Sequence, residues 1–223
     1  STIYGNKAGR TFVYAQEKGV NASGSAMTAY IESGDIDIGD GDQFMALMAA
    51  RWGAEGRLNG NALVATVMSN LGLERYLDNK GLRLERTSVG DRYVVERMRS
   101  GGFNLGGEQS GHIILGKFAT TGDGLMVALE VLFSLRKGKK ASELLNVFVP
   151  MPQRLENIIV KDKNIINKPK CKSAINKANK LIRNHGRLLI RKSGTEPKIR
   201  IMGESHNKKL ILKCIKLIKK SIK

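Results

Sequence analysis

Between Asp42 and Arg136, short apolar runs alternate with segments of helical periodicity, and this alternation constrains the fold more than any other feature of the 223 residues. Gln43 to Trp52 carries apolar residues at 44, 45, 47, 48 and 52, which predicts an amphipathic helix stopped by Gly53. Ala62 to Val67 is a short apolar run that reads as a strand, and Asn70 to Leu77 reads as a helix. Leu82 to Thr87 alternates apolar and polar residues as a strand does, and Asp91 to Arg99 returns to helical spacing. Strand–helix–strand–helix is the pattern of an α/β unit built on a largely parallel sheet. After Gly106-Gly107 and a polar turn, His112 to Leu115 reads as another strand. Leu125 to Arg136 reads as a strong helix with Asp123 as its cap.

Val149-Pro150-Met151-Pro152 breaks the pattern and marks a boundary between residues 42–150 and 151–223. The second segment predicts a smaller α+β domain. Ile158 to Val160, Ile165-Ile166, Gly186 to Arg191 and Ile199 to Met202 suggest strands, and Ser173 to Arg183 suggests a helix. A closing helix over Asn207 to Ile222 has an apolar stripe at 211, 215, 218 and 222, fit either to pack on a sheet or to lie on a membrane surface. Residues 1–41 have no clear place. Thr11 to Ala15 suggests a short strand, and Ala22 to Met27 reads as a linker. Asp35, Asp37, Asp40 and Asp42 form either an acidic solvated turn or a set of oxygen ligands for a cation.

The formal charge of +18 invites a nucleic-acid reading, but it is unevenly spread. Residues 160–223 hold 20 basic and three acidic residues, with no Phe, Tyr or Trp to stack on bases. A solvated lysine face accounts for them, so no nucleic-acid partner is expected. No apolar run approaches membrane-spanning length, and no membrane partner is expected. Two cysteines without CxxC spacing and no secretory signal point to a reducing, cytoplasmic setting.

Three glycine-rich polar turns follow predicted strands, where α/β folds place ligands. Thr87 to Arg92 offers a glycine and the guanidinium of Arg92, or simply a helix cap. Gly106 to His112 concentrates Gly107, Glu108, Ser110 and His112. The carboxylate accepts from vicinal hydroxyls while the hydroxyl donates and accepts, which suits a sugar ring, although a hairpin turn with local bonding is the plainer reading. Arg191 to Arg200 places Ser193 and Thr195 astride Gly194, between two arginines. Such a nest suits a dianionic phosphate or an accidental anion.

Val64 to Gly72, Val89 to Val94, Gly107 to His112, Thr121 to Gly124 and Arg191 to Pro197 occur in an order that resembles the bacterial phosphoglucosamine mutases of the α-D-phosphohexomutase superfamily. The resemblance runs from about Asp42 to the C-terminus. It implies interconversion of glucosamine 6-phosphate and glucosamine 1-phosphate, within a four-domain architecture of which this chain resembles domains three and four. It further implies sugar contacts at Gly107, Glu108, Ser110, His112 and Arg92, and phosphate contacts at Arg191, Ser193, Gly194, Thr195 and Arg200. Lys192 stands where such proteins often have proline or alanine. The family's phosphoserine loop and its three-aspartate magnesium loop do not occur in this sequence, so magnesium is expected of the family without ligands identified here. No catalytic residue is assigned, and the chain alone is expected to bind phosphosugar weakly and to turn nothing over. A non-catalytic phosphosugar-binding module is the alternative.

Overall fold

The computed structural model describes residues 11–17, 25–31, 41–118, 121–135 and 145–222. It divides into two compact units, Ser1–Val149 and Pro150–Lys223.

In the first unit, β1 (Thr11–Glu17) and β2 (Ser25–Ile31) form an antiparallel pair, Thr11 opposite Ile31. Ser25 to Met27, expected to be part of a linker, is therefore strand; the residues before them lie outside the described set. Next come α1 (Gly41–Ala54), β3 (Ala62–Thr66), α2 (Leu71–Asn79), β4 (Arg83–Thr87) and α3 (Asp91–Gly101). β5 (Leu105–Gly107), β6 (Ile113–Leu115) and α4 (Gly124–Leu135) complete the unit. The sheet order is β4-β3-β5-β6, parallel except for β6.

β3 is buried along its whole length, the usual fate of a continuous apolar run in a central parallel strand. Its alternate side chains enter two cores. Leu63 and Ala65 pack with Phe44, Met48 and Trp52 of α1 and with Leu73, Leu77, Val127 and Val131 of α2 and α4. Val64 packs with Val94 and Met98 of α3 on the other face. The sheet is thus covered by helices on both sides, each buried Leu, Phe or Met contributing roughly 1.5–3 kcal/mol. Asp123 caps α4 as expected: its Oδ1 accepts from the amides of Leu125 (3.0 Å) and Met126 (3.1 Å). Asn70 likewise caps α2, accepting from the Gly72 amide at 2.7 Å.

Two further sequence expectations are corrected in this unit. Gly106-Gly107, read as a turn, belongs to β5. A Cβ on Gly106 would lie 2.6 Å from Met98 Sδ and 2.8 Å from Val94 Cγ1, so the glycine brings α3 onto the sheet instead of turning the chain. Gly53 does not stop α1, which continues to Ala54.

The second unit contains β7 (Gln153–Ile159), a 3-10 turn (Lys163–Asn167), α5 (Pro169–Ile182), β8 (Gly186–Lys192), β9 (Lys198–Ser205) and α6 (Lys208–Ile222). Its sheet, β7-β9-β8, is antiparallel throughout. Ile199 and Ile201 of β9 meet Cys171, Ala178 and Ile182 of α5 and the 211, 215, 218 and 222 stripe of α6. That stripe is buried inside the unit, which removes the membrane-surface alternative for it. Ile165-Ile166, expected to be strand, form the 3-10 turn. Asp162 accepts from the Asn164 amide at 2.8 Å and starts the turn, while both isoleucines still reach the core.

Candidate functional site

In a parallel arrangement the C-terminal ends of neighbouring strands share one edge, and β4, β3 and β5 deliver three polar turns there. The turn after β5 closes on itself: the Glu108 amide donates to the His112 carbonyl (2.9 Å) and the Gly111 amide to the Glu108 carbonyl (3.0 Å). The Glu108 carboxylate reaches the turn after β4, its Oε1 accepting from the Gly90 amide at 3.0 Å. Its Oε2 lies 3.9 Å from His112 Nδ1, and its side chain is 14% exposed. Gly107 is buried, Ser110 exposed and His112 half-buried, so this turn presents a carboxylate, a hydroxyl and an imidazole together. Arg92 lies in the first turn of α3, just past the adjoining loop, exposed, with its guanidinium 4.6 Å from the Tyr93 ring centroid and Nη2 donating to the Tyr93 hydroxyl at 3.2 Å.

The first turn of α1 supports this edge, a role the sequence reading missed. Gly41 donates its amide to the Gln109 carbonyl at 3.0 Å. A Cβ there would lie 2.3 Å from the Glu108 carbonyl oxygen and 2.8 Å from the Gly111 nitrogen, so only glycine admits this approach. Asp42 is fully buried and accepts from the Asn70 amide at 2.7 Å, tying α1 to the turn after β3. Gln43 donates to the Phe148 carbonyl and accepts from the Val147 amide, both at 2.9 Å. One Asp42 oxygen, Oδ2, is thus committed to backbone. Among the described residues no three His, Cys, Asp or Glu side chains converge on a metal position. Asp35, Asp37 and Asp40 lie outside those residues.

In the second unit the polar turn joins β8 to β9, and antiparallel register sets Arg191 directly opposite Arg200. Like charges in such a pair cost about 0.2–1 kcal/mol unless an anion intervenes. Among the described residues Arg191 has no hydrogen-bond acceptor. Burial first, then the Arg200 charge, holds its guanidinium below the ordinary arginine pKa. Arg200 donates Nη2 to Glu196 Oε2 at 3.1 Å, while its buried Nε has no acceptor. Glu196 also accepts from Lys198 Nζ at 2.5 Å, and these two bonds hold its carboxyl below the usual range.

The loop itself is tightly bound. Ser193, 2% exposed, donates its amide to the Lys198 carbonyl at 2.9 Å and accepts from the Glu196 amide through Oγ at 3.3 Å. The Gly194 and Thr195 amides have no acceptor among the described residues, and both residues are exposed. Two guanidinium groups and two amides with unfilled hydrogen-bonding capacity are the donor chemistry that suits an anion. The sequence spacing pointed to the arginines. It did not show that Glu196 and Lys198 join them, because that contact depends on the hairpin register.

Comparison with known proteins agrees with both units. Residues 40–151 match the family model for phosphoglucomutase/phosphomannomutase, alpha/beta/alpha domain III, and residues 144–220 match its C-terminal domain. Phosphoglucosamine mutase of Ruegeria pomeroyi is 59% identical over 181 residues, covering 80% of this chain and 40% of that protein. That of Pelagibacter ubique is 58% identical over 184 residues, covering 82% and 41%. The chain thus spans about 40% of the length of these curated relatives. The fold resembles Aspergillus fumigatus N-acetylphosphoglucosamine mutase in complex with GlcNAc-6P and magnesium (TM-score 0.72, 18% identity, covering 89% of this chain and 50% of that one). It equally resembles a phosphoglucomutase/phosphomannomutase family protein of Burkholderia thailandensis (TM-score 0.71, 20% identity, covering 88% and 43%). With its domain III and C-terminal domain matched in order along the chain, the protein belongs to the phosphoglucomutase/phosphomannomutase family.

Proposed function

We propose that this chain is the sugar- and phosphate-recognising portion of a phosphoglucosamine mutase, the enzyme that interconverts glucosamine 6-phosphate and glucosamine 1-phosphate. The observation that carries the reading is the Arg191–Arg200 pair, opposite in register and with donors unfilled, at the tip of the β8–β9 hairpin. A phosphate dianion satisfies those donors and relieves their mutual repulsion. Arg191 and Arg200 supply guanidinium forks, Gly194 and Thr195 their amides, and Ser193 and Thr195 their hydroxyls. In residues 42–150, Glu108 and Ser110 take sugar hydroxyls, supported by Gly107, His112 and Arg92.

Holding the phosphate that does not react fixes the substrate, and that binding energy helps to position the reacting end. These residues bind and orient; none is assigned to the chemical step. Magnesium belongs to the family's chemistry, but the described acidic residues do not fit it, and no step here passes through a metal. The two buried thiols, Cys171 and Cys214, suit a reducing, cytoplasmic setting.

The test is a calorimetric titration of the chain with glucosamine 6-phosphate, glucose 6-phosphate and inorganic phosphate. Glucosamine 6-phosphate is expected to bind best, with Arg191→Ala and Glu108→Ala each weakening it at least tenfold, about 1.4 kcal/mol. Equal binding of all three ligands, or variants indistinguishable from the parent, would refute the reading.

A further inference from the structure

We propose that Lys163 is a positioning residue of the phosphate loop: it pins the Ser193 carbonyl and thereby aims the Gly194 amide at the phosphate. This rests on the phosphate reading of residues 191–200 given above.

Lys163 opens the 3-10 turn that follows β7, and its Nζ donates to the Ser193 carbonyl oxygen at 2.9 Å. The described residues contain no cis peptide bond, and in a trans peptide the carbonyl and the following N–H point in opposite directions. Fixing the Ser193 carbonyl on Lys163 therefore turns the Gly194 N–H away from the 3-10 turn. That amide has no acceptor among the described residues, and the position a Gly194 Cβ would take is open space. Turned from the 3-10 turn and given no acceptor by the described residues, the donor is left for an anion.

The turn that carries Lys163 is itself anchored. Asp162 caps it, and Ile165 and Ile166 pack against the core of the unit. The Val160 amide donates to the Pro197 carbonyl at 2.9 Å, tying the strand exit to the far end of the loop. A second strut runs the other way: Lys192 Nζ donates to Asn164 Oδ1 at 2.7 Å. Lys192 is the residue that departs from the resemblance, and this contact gives it a partner on the same turn. Ser193 is consequently fixed through its amide, its carbonyl and its hydroxyl before any ligand arrives, which lowers the ordering cost of binding.

The experiment compares Lys163→Met and Lys163→Arg with the parent chain, titrating glucosamine 6-phosphate at about 0.1 M and about 0.5 M salt, where the Debye length falls well below 10 Å. Lys163→Met is expected to bind about tenfold more weakly at both salts, with Lys163→Arg within about threefold of the parent because the donor is retained. Parental affinity in Lys163→Met, or a loss confined to low salt, overturns the assignment, the latter because it reports charge alone. If the parent chain does not bind glucosamine 6-phosphate, the phosphosugar reading fails. Lys163 is then decided by the Gly194 amide order parameter measured without ligand. It should fall from about 0.85 toward about 0.6 in Lys163→Met and stay high in Lys163→Arg; no change overturns the inference.

Discussion

Replacing Gly41 by alanine should destabilise the first unit by about 2–3 kcal/mol, whereas the same replacement at Gly53, in the same helix, should change it by less than about 0.5 kcal/mol. At Gly41 the new Cβ meets backbone on three sides: the Glu108 oxygen at 2.3 Å, the Gly111 nitrogen at 2.8 Å and the Gln109 oxygen at 2.9 Å. Ordinary contact requires the Glu108 carbonyl to retreat by about 1 Å, and it cannot do so alone because the turn is closed by its own amide bonds. At Gly53 the neighbours are the Leu82 methyls at 3.0 and 3.2 Å, the ends of a side chain that can move. The gain in helix propensity there offsets the crowding. Trp52 is the only tryptophan in the chain and is 1% exposed, so its fluorescence reports the unfolding of the first unit alone. With a urea slope of about 2 kcal/mol/M, Gly41→Ala lowers the midpoint by about 1 M or more, and Gly53→Ala leaves it in place. Equal midpoints for the two variants would refute the claim that the start of α1 is wedged against the turn containing Glu108.

Arg191→Ala should weaken phosphosugar binding while leaving the second unit as stable as before or up to about 1 kcal/mol more stable, because it removes a like-charge repulsion from a guanidinium that has no acceptor of its own among the described residues; a clear loss of stability would show that Arg191 holds the fold. Cys171 and Cys214 are 1% and 0% exposed, and burial raises the Cys214 pKa, so a thiol reagent should modify them only as the second unit opens. Labelling at the rate of a free thiol in native buffer would contradict that. Glu196 is bonded to Lys198 and Arg200 and titrates below its unfolded value of 4.5. Its contribution is present above that value and lost as pH falls through the lower folded pKa. Thiol protection should therefore weaken in acid less steeply in Glu196→Gln than in the parent, and identical acid profiles would sink the assignment.

Most of the architecture was legible because its periodicities are strong: the run from Ala62, the spacing of α3 and the 211, 215, 218 and 222 stripe each state their own element. What was misread depended on neighbours. Gly106 carries the usual signature of a turn, but Val94 and Met98, both from a different element, fill the space where its side chain would be. Ile165-Ile166 are as apolar as a strand, yet Asp162 binds the local backbone and the segment coils before reaching an edge. The Arg191–Arg200 pairing could be read from symmetry about a hairpin tip. The link from Glu108 to Gly90 could not, because it joins the turns after β5 and β4, which the sheet order sets on either side of β3. Lys163 was hidden for the same reason, lying 30 residues from the carbonyl it holds.

The most direct measurement is an assigned amide nitrogen–proton map of the chain titrated with glucosamine 6-phosphate. The phosphosugar account predicts that the resonances that move are those of Gly90, Glu108 to His112, and Arg191 to Glu196, with Gly194 and Thr195 moving most. Changes spread over the lysines of α5 and α6 with those loops unmoved would contradict it, showing a charged surface that attracts anions without recognising a sugar phosphate.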